Sequence, residues 1–116
     1  MVKYESASLD HTFAALADPT RRAILARLTS GEATVGELAA PFEMSWPAVT
    51  KHLKSLERAG LIERRRDGRS HLCRLQPAPL VDAAQWISDT KKFWESNLDS
   101  LERYLKEQTQ KGEPKP

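Results

Sequence analysis

The sequence predicts a mainly α protein with a small β-hairpin (α+β), in which four helices precede the hairpin and one long helix follows it. Three observations predict it. Met44 to Ile62, MSWPAVTKHLKSLERAGLI, reads as a capped helix with a basic outer face, stopped by a glycine. Ile62 to Leu75, IERRRDGRSHLCRL, follows at once as an arginine-rich hairpin. The last third carries apolar residues at helical spacing from Leu80 to Leu105. A helix able to enter a groove, beside a positive β-ribbon, is the makeup of a winged helix-turn-helix, and it makes double-stranded DNA the leading candidate ligand.

The elements follow in order. Leu9, Phe13, Leu16 and Ala17 recur at helical spacing and predict a first helix from about Ser8 to Ala17. Asp18-Pro19 reads as N-cap and N1 of a second, ending near Leu28: the carboxylate accepts an orphan amide, and proline has no amide to waste. Ala23, Ile24, Leu25 and Leu28 face inward, and Thr29-Ser30-Gly31 stops the helix. Thr34 caps a short third helix, with Glu37 as its capping-box partner and Pro41 beyond its end. Ser45 caps the fourth, with Pro47 in the first turn. Val49, Leu53 and Leu56 form its buried stripe, and Gly60 stands at the C′ position. Leu61–Arg66 and Arg69–Leu75 read as two strands around Asp67-Gly68, a type I′ turn signal.

In the last helix, from about Leu80 to Glu107, Leu80, Ile87, Trp94 and Leu101 are spaced by sevens. Ala84, Lys91, Leu98 and Leu105 form the adjoining row, broken by Lys91, and Trp86, Phe93 and Tyr104 widen the stripe. A small domain cannot cover so long an apolar face by itself, and pairing with a second copy would. Leu9, Phe13, Leu16, Leu80, Ile87, Trp94, Leu98, Leu101 and Leu105 are the expected dimerisation residues. The expected domain is 1–107, with residues 108–116, polar and carrying two prolines, as a flexible tail.

Composition narrows the function. The chain has 116 residues, 40% of them hydrophobic, which suits one domain with a thin core. No run approaches the roughly 18 apolar residues of a membrane span, and the first ten residues lack the apolar centre of a signal peptide. A single cysteine cannot form an internal disulfide, so a reducing cytoplasm is the expected setting. The net charge of +2 is unevenly spread. Residues 1–44 hold four Lys/Arg against six Asp/Glu, 45–76 eight against three, and 77–116 six against seven. The positive charge thus gathers on the fourth helix and the hairpin, as phosphate binding requires.

With DPTRRAILARL (Asp18–Leu28), VGELAAPFEMSWPAVTKHLKSLERAGLI (Val35–Ile62) and RRRDGRSHLCRL (Arg64–Leu75) in this order, the chain closely resembles the ArsR/SmtB family of bacterial transcription factors over roughly Leu9 to Leu105. The resemblance implies a winged-helix homodimer that represses transcription by occupying an operator. It also raises metal sensing, for which the family is known. In its cysteine-bearing site on the third helix, Thr34, Gly36 and Ala39 stand where this chain would need thiolates. Its site along the last helix uses Asp and His, and this helix carries Asp82, Asp89 and Asp99 but no His. Zinc needs about four converging N, S or O ligands. His11, His52, His71 and Cys73 are scattered, although His71 and Cys73 alternate onto one strand face. The expectation is therefore the branch without the metal-sensing sites, with no metal and no cofactor.

The fourth helix would enter the major groove by its N-terminal turn. Thr50 and Lys51 are the best direct readers: lysine can donate to guanine, and threonine's methyl can meet thymine. Ala48 permits close approach, Pro47 sits in the same turn, and Lys54 suits a phosphate. Two roles fit Ser45, helix cap alone or cap plus phosphate contact. Two also fit Trp46, packing on a sugar or thymine methyl, or stapling the turn to the third helix. His52 fits a phosphate contact or an internal hydrogen bond equally well. In the hairpin, Arg64, Arg65, Arg66 and Arg69 flank the turn. Strand alternation separates Arg65 from Arg64 and Arg66, so one or two reach DNA and the rest are solvated. Arg21 and Arg22 could contact backbone, though a salt bridge or solvent suits at least one of them better.

Other function classes fare worse. An enzyme needs an activated nucleophile or a convergent acid–base pair. Cys73 lies in a strand without a glycine turn or helix N-terminus to activate it, and no phosphate-cradling glycine loop is present. A protein-interaction module with a winged-helix shape would not need the basic hairpin. Cys73 as a redox sensor and an organic effector near Trp86, Phe93 and Trp94 remain secondary readings, because a lone thiol and helical aromatics usually serve packing. A small-molecule effector is not identifiable from the residues.

Overall fold

A computed structural model describes residues 6–112 of the chain. The elements run α1 (Ser6–Leu16), α2 (Pro19–Leu28), β1 (Ala33–Thr34), α3 (Val35–Ala39), α4 (Trp46–Arg58), β2 (Ile62–Asp67), β3 (Ser70–Leu75) and α5 (Ala78–Gly112). Two compact units divide after Ala83: the helices and sheet through the first turn of α5, and the rest of α5.

The caps begin the helices where the sequence signals them. Asp18 accepts from the Arg21 amide at 3.0 Å, with proline opening α2. Thr34 and Glu37 exchange both bonds of a capping box, at 3.1 and 2.8 Å. The Ser45 hydroxyl accepts from the Ala48 amide at 3.2 Å and starts α4. At the other end of α4, Gly60 adopts φ +75°. Its amide donates to the Glu57 carbonyl and the Leu61 amide to that of Leu56, the two bonds of a Schellman motif. A side chain at Gly60 would meet only the Pro79 ring at 3.6 Å, so its cost would be the left-handed backbone, about 1–2 kcal/mol.

The core of the first unit forms where α2, α3, α4 and the sheet meet. Ile24, Leu25 and Leu28 of α2, Val35 and Leu38 of α3, and Val49, Leu53 and Leu56 of α4 are all buried in one cluster. Leu61, Ile62 and Cys73 close it from the sheet side. Thr12 on α1 is buried too, and its hydroxyl bonds the Ser8 carbonyl. Leu16 and Leu80, both expected at a dimer seam, pack partly buried against this cluster.

The sheet differs from the expected hairpin in two respects. It has three strands, in the order β1-β3-β2, because Ala33 and Thr34 pair antiparallel with Cys73 and Leu72. A two-residue strand is too short to show a period in sequence. The turn also sits one residue later than Asp67-Gly68. Asp67 pairs with Ser70, leaving Gly68-Arg69 as the loop. Gly68 has φ +64° and Arg69 does not enter the positive region, the signature of a II′ rather than a I′ turn. Glycine at the first central position meets that requirement alone.

The second unit is the helix itself. α5 continues to Gly112, so the first five residues of the expected tail are helical, and 113–116 lie outside the described residues. Ile87, Trp94, Leu98, Leu101, Tyr104 and Leu105 are each more than half exposed, and Trp86 is exposed to a lesser degree. The rings of Phe93 and Trp94 stand edge to face, 6.4 Å apart.

Candidate nucleic-acid interface

The interface grows from the two faces of α4. Val49, Leu53 and Leu56 anchor one face in the core with no exposed surface. At about 100° per residue, Pro47, Lys51, Lys54 and Arg58 then fall on the opposite face, and all four are exposed. Ser45 and Trp46 are exposed at the helix start, while Ala48 and Thr50 are half-buried flanks. Trp46 is 57% exposed, so it projects outward rather than stapling the turn. Lys51 and Lys54 make no hydrogen bond or ion pair among the described residues, which leaves their ammonium groups available.

The arginines of the β2–β3 wing separate into two groups. Arg64 Nε and Nη2 reach Glu57 Oε1 at 3.0 and 2.8 Å, tying the wing to the last turn of α4. Arg65 Nη2 holds both Glu32 carboxylate oxygens, at 3.1 and 3.3 Å. Arg74 pairs across the strands with Glu63. Arg66 and Arg69, exposed at the wing's tip, make no such bonds among the described residues. All four wing arginines were candidate phosphate ligands. Arg64 and Arg65 are neutralised by carboxylates in the chain, and Arg66 and Arg69 carry the uncompensated charge. Exposed ion pairs contribute only about 0–1 kcal/mol, so the pairs of Arg65 and Arg74 orient side chains more than they stabilise the fold. Glu32, Glu57 and Glu63 are the residues that residue-type reasoning passes over. A carboxylate reveals its partner only once the register and the packing of helix on sheet are known.

His52 lies at the edge of the buried face of α4. Its Nδ1 is 3.2 Å from Arg21 Nη1 and 3.8 Å from Asp18 Oδ2. An arginine only donates, so the shorter contact makes Nδ1 the acceptor and places the imidazole proton on Nε2. The internal contact, one of the two roles open to this histidine, is present with Arg21 as the partner. Arg21 and Arg22 also bond internally: Arg21 Nε and Nη2 donate to the carbonyls of Ala15 and Ala14, and Arg22 Nη1 to that of Leu16.

Asp18 has its carboxyl held below the ordinary carboxylate range, first by the Arg21 amide that donates to it and further by the positive charge of the Arg21 side chain. A carboxyl depressed in the folded chain contributes stability that is present above its unfolded pKa and is lost as pH falls through its folded one. The melting temperature should therefore drop as pH goes below about 4, and the drop should be shallower in Asp18→Asn. Identical pH profiles for the two proteins would remove Asp18 from the acid response.

Cys73 is fully buried, and burial pushes its thiol up, away from the thiolate form that reacts or binds metal. His71, two residues away, is exposed. Among the described residues no three His, Cys, Asp or Glu side chains converge. No described helix is long and apolar enough to cross a membrane.

Known proteins are similar to this chain in both sequence and fold. A family model described as a helix-turn-helix domain matches residues 16–65. The HTH-type transcriptional regulator Rv2034 of Mycobacterium tuberculosis is 44% identical over 87 residues, covering 75% of this chain and 78% of its own. The transcriptional repressor SdpR of Bacillus subtilis is 35% identical over 79 residues, covering 68% and 88%. Among solved structures, an ArsR family transcriptional regulator superposes with a TM-score of 0.77 at 43% identity, covering 83% of this chain and 98% of its own. An ArsR-like regulator from Rhodococcus gives 0.72 at 32% identity, covering 84% and 92%. Fold, wing, capped α4 and sequence agree, and the chain belongs to the ArsR family of winged helix-turn-helix transcriptional regulators.

Proposed function

We propose that this DNA-binding regulator is a homodimeric repressor that occupies a palindromic operator and does not respond to metal. The observation that carries the DNA-reading part is the exposed row Lys51, Lys54, Arg66 and Arg69, left uncompensated where the neighbouring arginines are paired. Lys51, with Thr50, reads bases from the major groove. Ser45, Trp46, Pro47 and Ala48 shape the approach of the helix, and Lys54 holds a phosphate. Arg66 and Arg69 bind phosphates or the adjoining minor groove.

Dimerisation rests on two apolar patches. One is the exposed row Ile87, Trp94, Leu98, Leu101 and Leu105 on α5. The other is half-buried Leu9, Phe13 and Leu16 on α1. A twofold dimer would offer two recognition helices to half-sites about 10 bp apart. One feature supports a metal-independent regulator: Thr34, Gly36 and Ala39 stand where one family site would need thiolates. The reducing cytoplasm is the setting this function implies, and the family is one of regulators rather than enzymes.

Footprinting on the DNA upstream of the chain's own gene, across a salt series, tests the reading. A protected palindrome with steep salt dependence is expected. Lys51→Ala should blur the preference at one or two base pairs and cost about 1–3 kcal/mol of discrimination. Arg69→Ala should weaken all sequences alike and reduce the salt slope by about 1, whereas Arg65→Ala, already paired with Glu32, should change the slope less. An unaltered preference at full affinity in Lys51→Ala would remove α4 from the reading role.

A further inference from the structure

Arg21 touches three helices at once. Its own amide is capped by Asp18 at the start of α2, its Nε and Nη2 donate to the carbonyls of Ala15 and Ala14, and its Nη1 reaches His52 on α4. The last carbonyls of a helix have no partner within it, and here they are taken by the guanidinium of the next helix. Arg22 does the same for Leu16 at 2.7 Å. The end of α1 is thus fastened to the start of α2, and a single fork carries the fastening on to the DNA-reading helix.

We infer that Arg21 is a positioning residue for DNA recognition, setting the recognition helix relative to α1 through the Nδ1 atom of His52. The guanidinium is planar and rigid, so carbonyls on one edge and an imidazole on the other fix α4 in rotation as well as in distance. His52 precedes buried Leu53 and follows Lys51, so a roll of α4 that broke this bond would also move Lys51 in the groove. The same bond sets the tautomer: with Nδ1 accepting, the proton stays on Nε2. The fork also links DNA reading to α1, where Leu9, Phe13 and Leu16 lie on roughly the opposite face from His11 and Ala14 at about 100° per residue. A second copy bound at that apolar row would steady the helix whose carbonyls hold Arg21.

The role differs from a phosphate contact, and two substitutions at His52 separate them. Asparagine can offer a carbonyl near the place of Nδ1, while glutamine can offer an N–H near the place of Nε2. Affinity for the preferred and for unrelated DNA is measured for Arg21→Ala, Arg21→Lys, His52→Asn and His52→Gln in the full chain, with melting temperatures alongside. Arg21→Ala, Arg21→Lys and His52→Gln should each lose about tenfold in preferred-site affinity with little change on unrelated DNA. His52→Asn should stay near wild type. Arg21→Ala combined with His52→Gln should be no worse than Arg21→Ala alone, because both remove one bond. If Arg21→Ala does not fold, Arg21→Lys and the His52 pair decide.

Wild-type specificity in both Arg21 variants would overturn the inference. So would the reverse order at His52, with glutamine active and asparagine defective, and a salt slope reduced by about 1. The inference rests on α4 being the DNA reader, and a DNA-free readout separates the two. Imidazole nitrogen NMR of the free protein should show a bare, hydrogen-bonded Nδ1 and a protonated Nε2, changed in Arg21→Ala. A proton on Nδ1 would overturn the clamp whatever DNA does. The expected tautomer with no DNA preference in wild type would overturn the reader and leave the clamp standing.

Discussion

Glutamate at both Trp94 and Leu101 is expected to turn the proposed dimer into a monomer and to weaken operator binding by about two to four orders of magnitude. The size of the effect comes from linkage of the two half-sites. Once one recognition helix is bound, the second finds its half-site at a high effective concentration, and a monomer forfeits that gain without losing any direct contact. Trp94 and Leu101 are suited to the experiment because they are 59% and 52% exposed. Charge placed there should change the stability of the monomer by no more than about 0.5 kcal/mol, while a carboxylate buried in an apolar seam is costly. Lys92→Glu is the control, since it changes charge on the side of α5 away from the apolar rows. Sedimentation over a concentration range and DNA titration read the two consequences. A double variant that stays dimeric, or a monomer that still binds the operator as tightly as wild type, would reject this helix as the seam.

Leu53→Ala is expected to cost about 2–5 kcal/mol of folding stability, most of what a small domain possesses. Leu53 has no exposed surface and sits in the cluster with Val49, Leu56, Ile24 and Leu38. Truncation forfeits the transfer energy of the lost carbons and leaves a cavity that Val49 and Leu56, on the same rigid helix, cannot close. The neighbouring Lys54→Ala provides the contrast. Exposed and without a partner among the described residues, it should leave the melting temperature almost unchanged and weaken DNA binding. Leu53→Ala should lower the melting temperature by more than about 10 °C. Comparable melting of the two variants would mean that α4 is not the helix that closes the core.

Much of the candidate site was legible in the residues because its signals are local. A serine cap, a proline in the first turn and a glycine at C′ bracket α4, and its buried stripe fixes by exclusion which face is outward. Lys51 and Lys54 were therefore identifiable as surface cations. The wing was legible in outline but not in detail. Centring the turn on Asp67-Gly68 sets Glu63 opposite Leu72, whereas the observed loop sets it opposite Arg74. Moving the loop by one residue shifts every cross-strand partner by two, which hid the Glu63–Arg74 pair. Glu32 and Glu57 were hidden for another reason. They lie far in sequence from, or on a different element than, the arginines they hold, and nothing local links them.

Composition and short-range pattern alone determined the order of the helices, their caps, the buried stripe of α4, the basic character of its outer face and the apolar stripe of α5. These depend on hydrogen bonds and spacings within about four residues, which sequence states directly. Only the tertiary structure decided which arginines keep their charge for a ligand, that His52 bonds inward, and that Ala33-Thr34 completes the sheet. Each of those outcomes depends on a distance between residues on different elements of the fold. Such distances are set when the apolar faces of α2, α3 and α4 close on the sheet, and the polar side chains at their edges then pair with whatever that closure brings within reach.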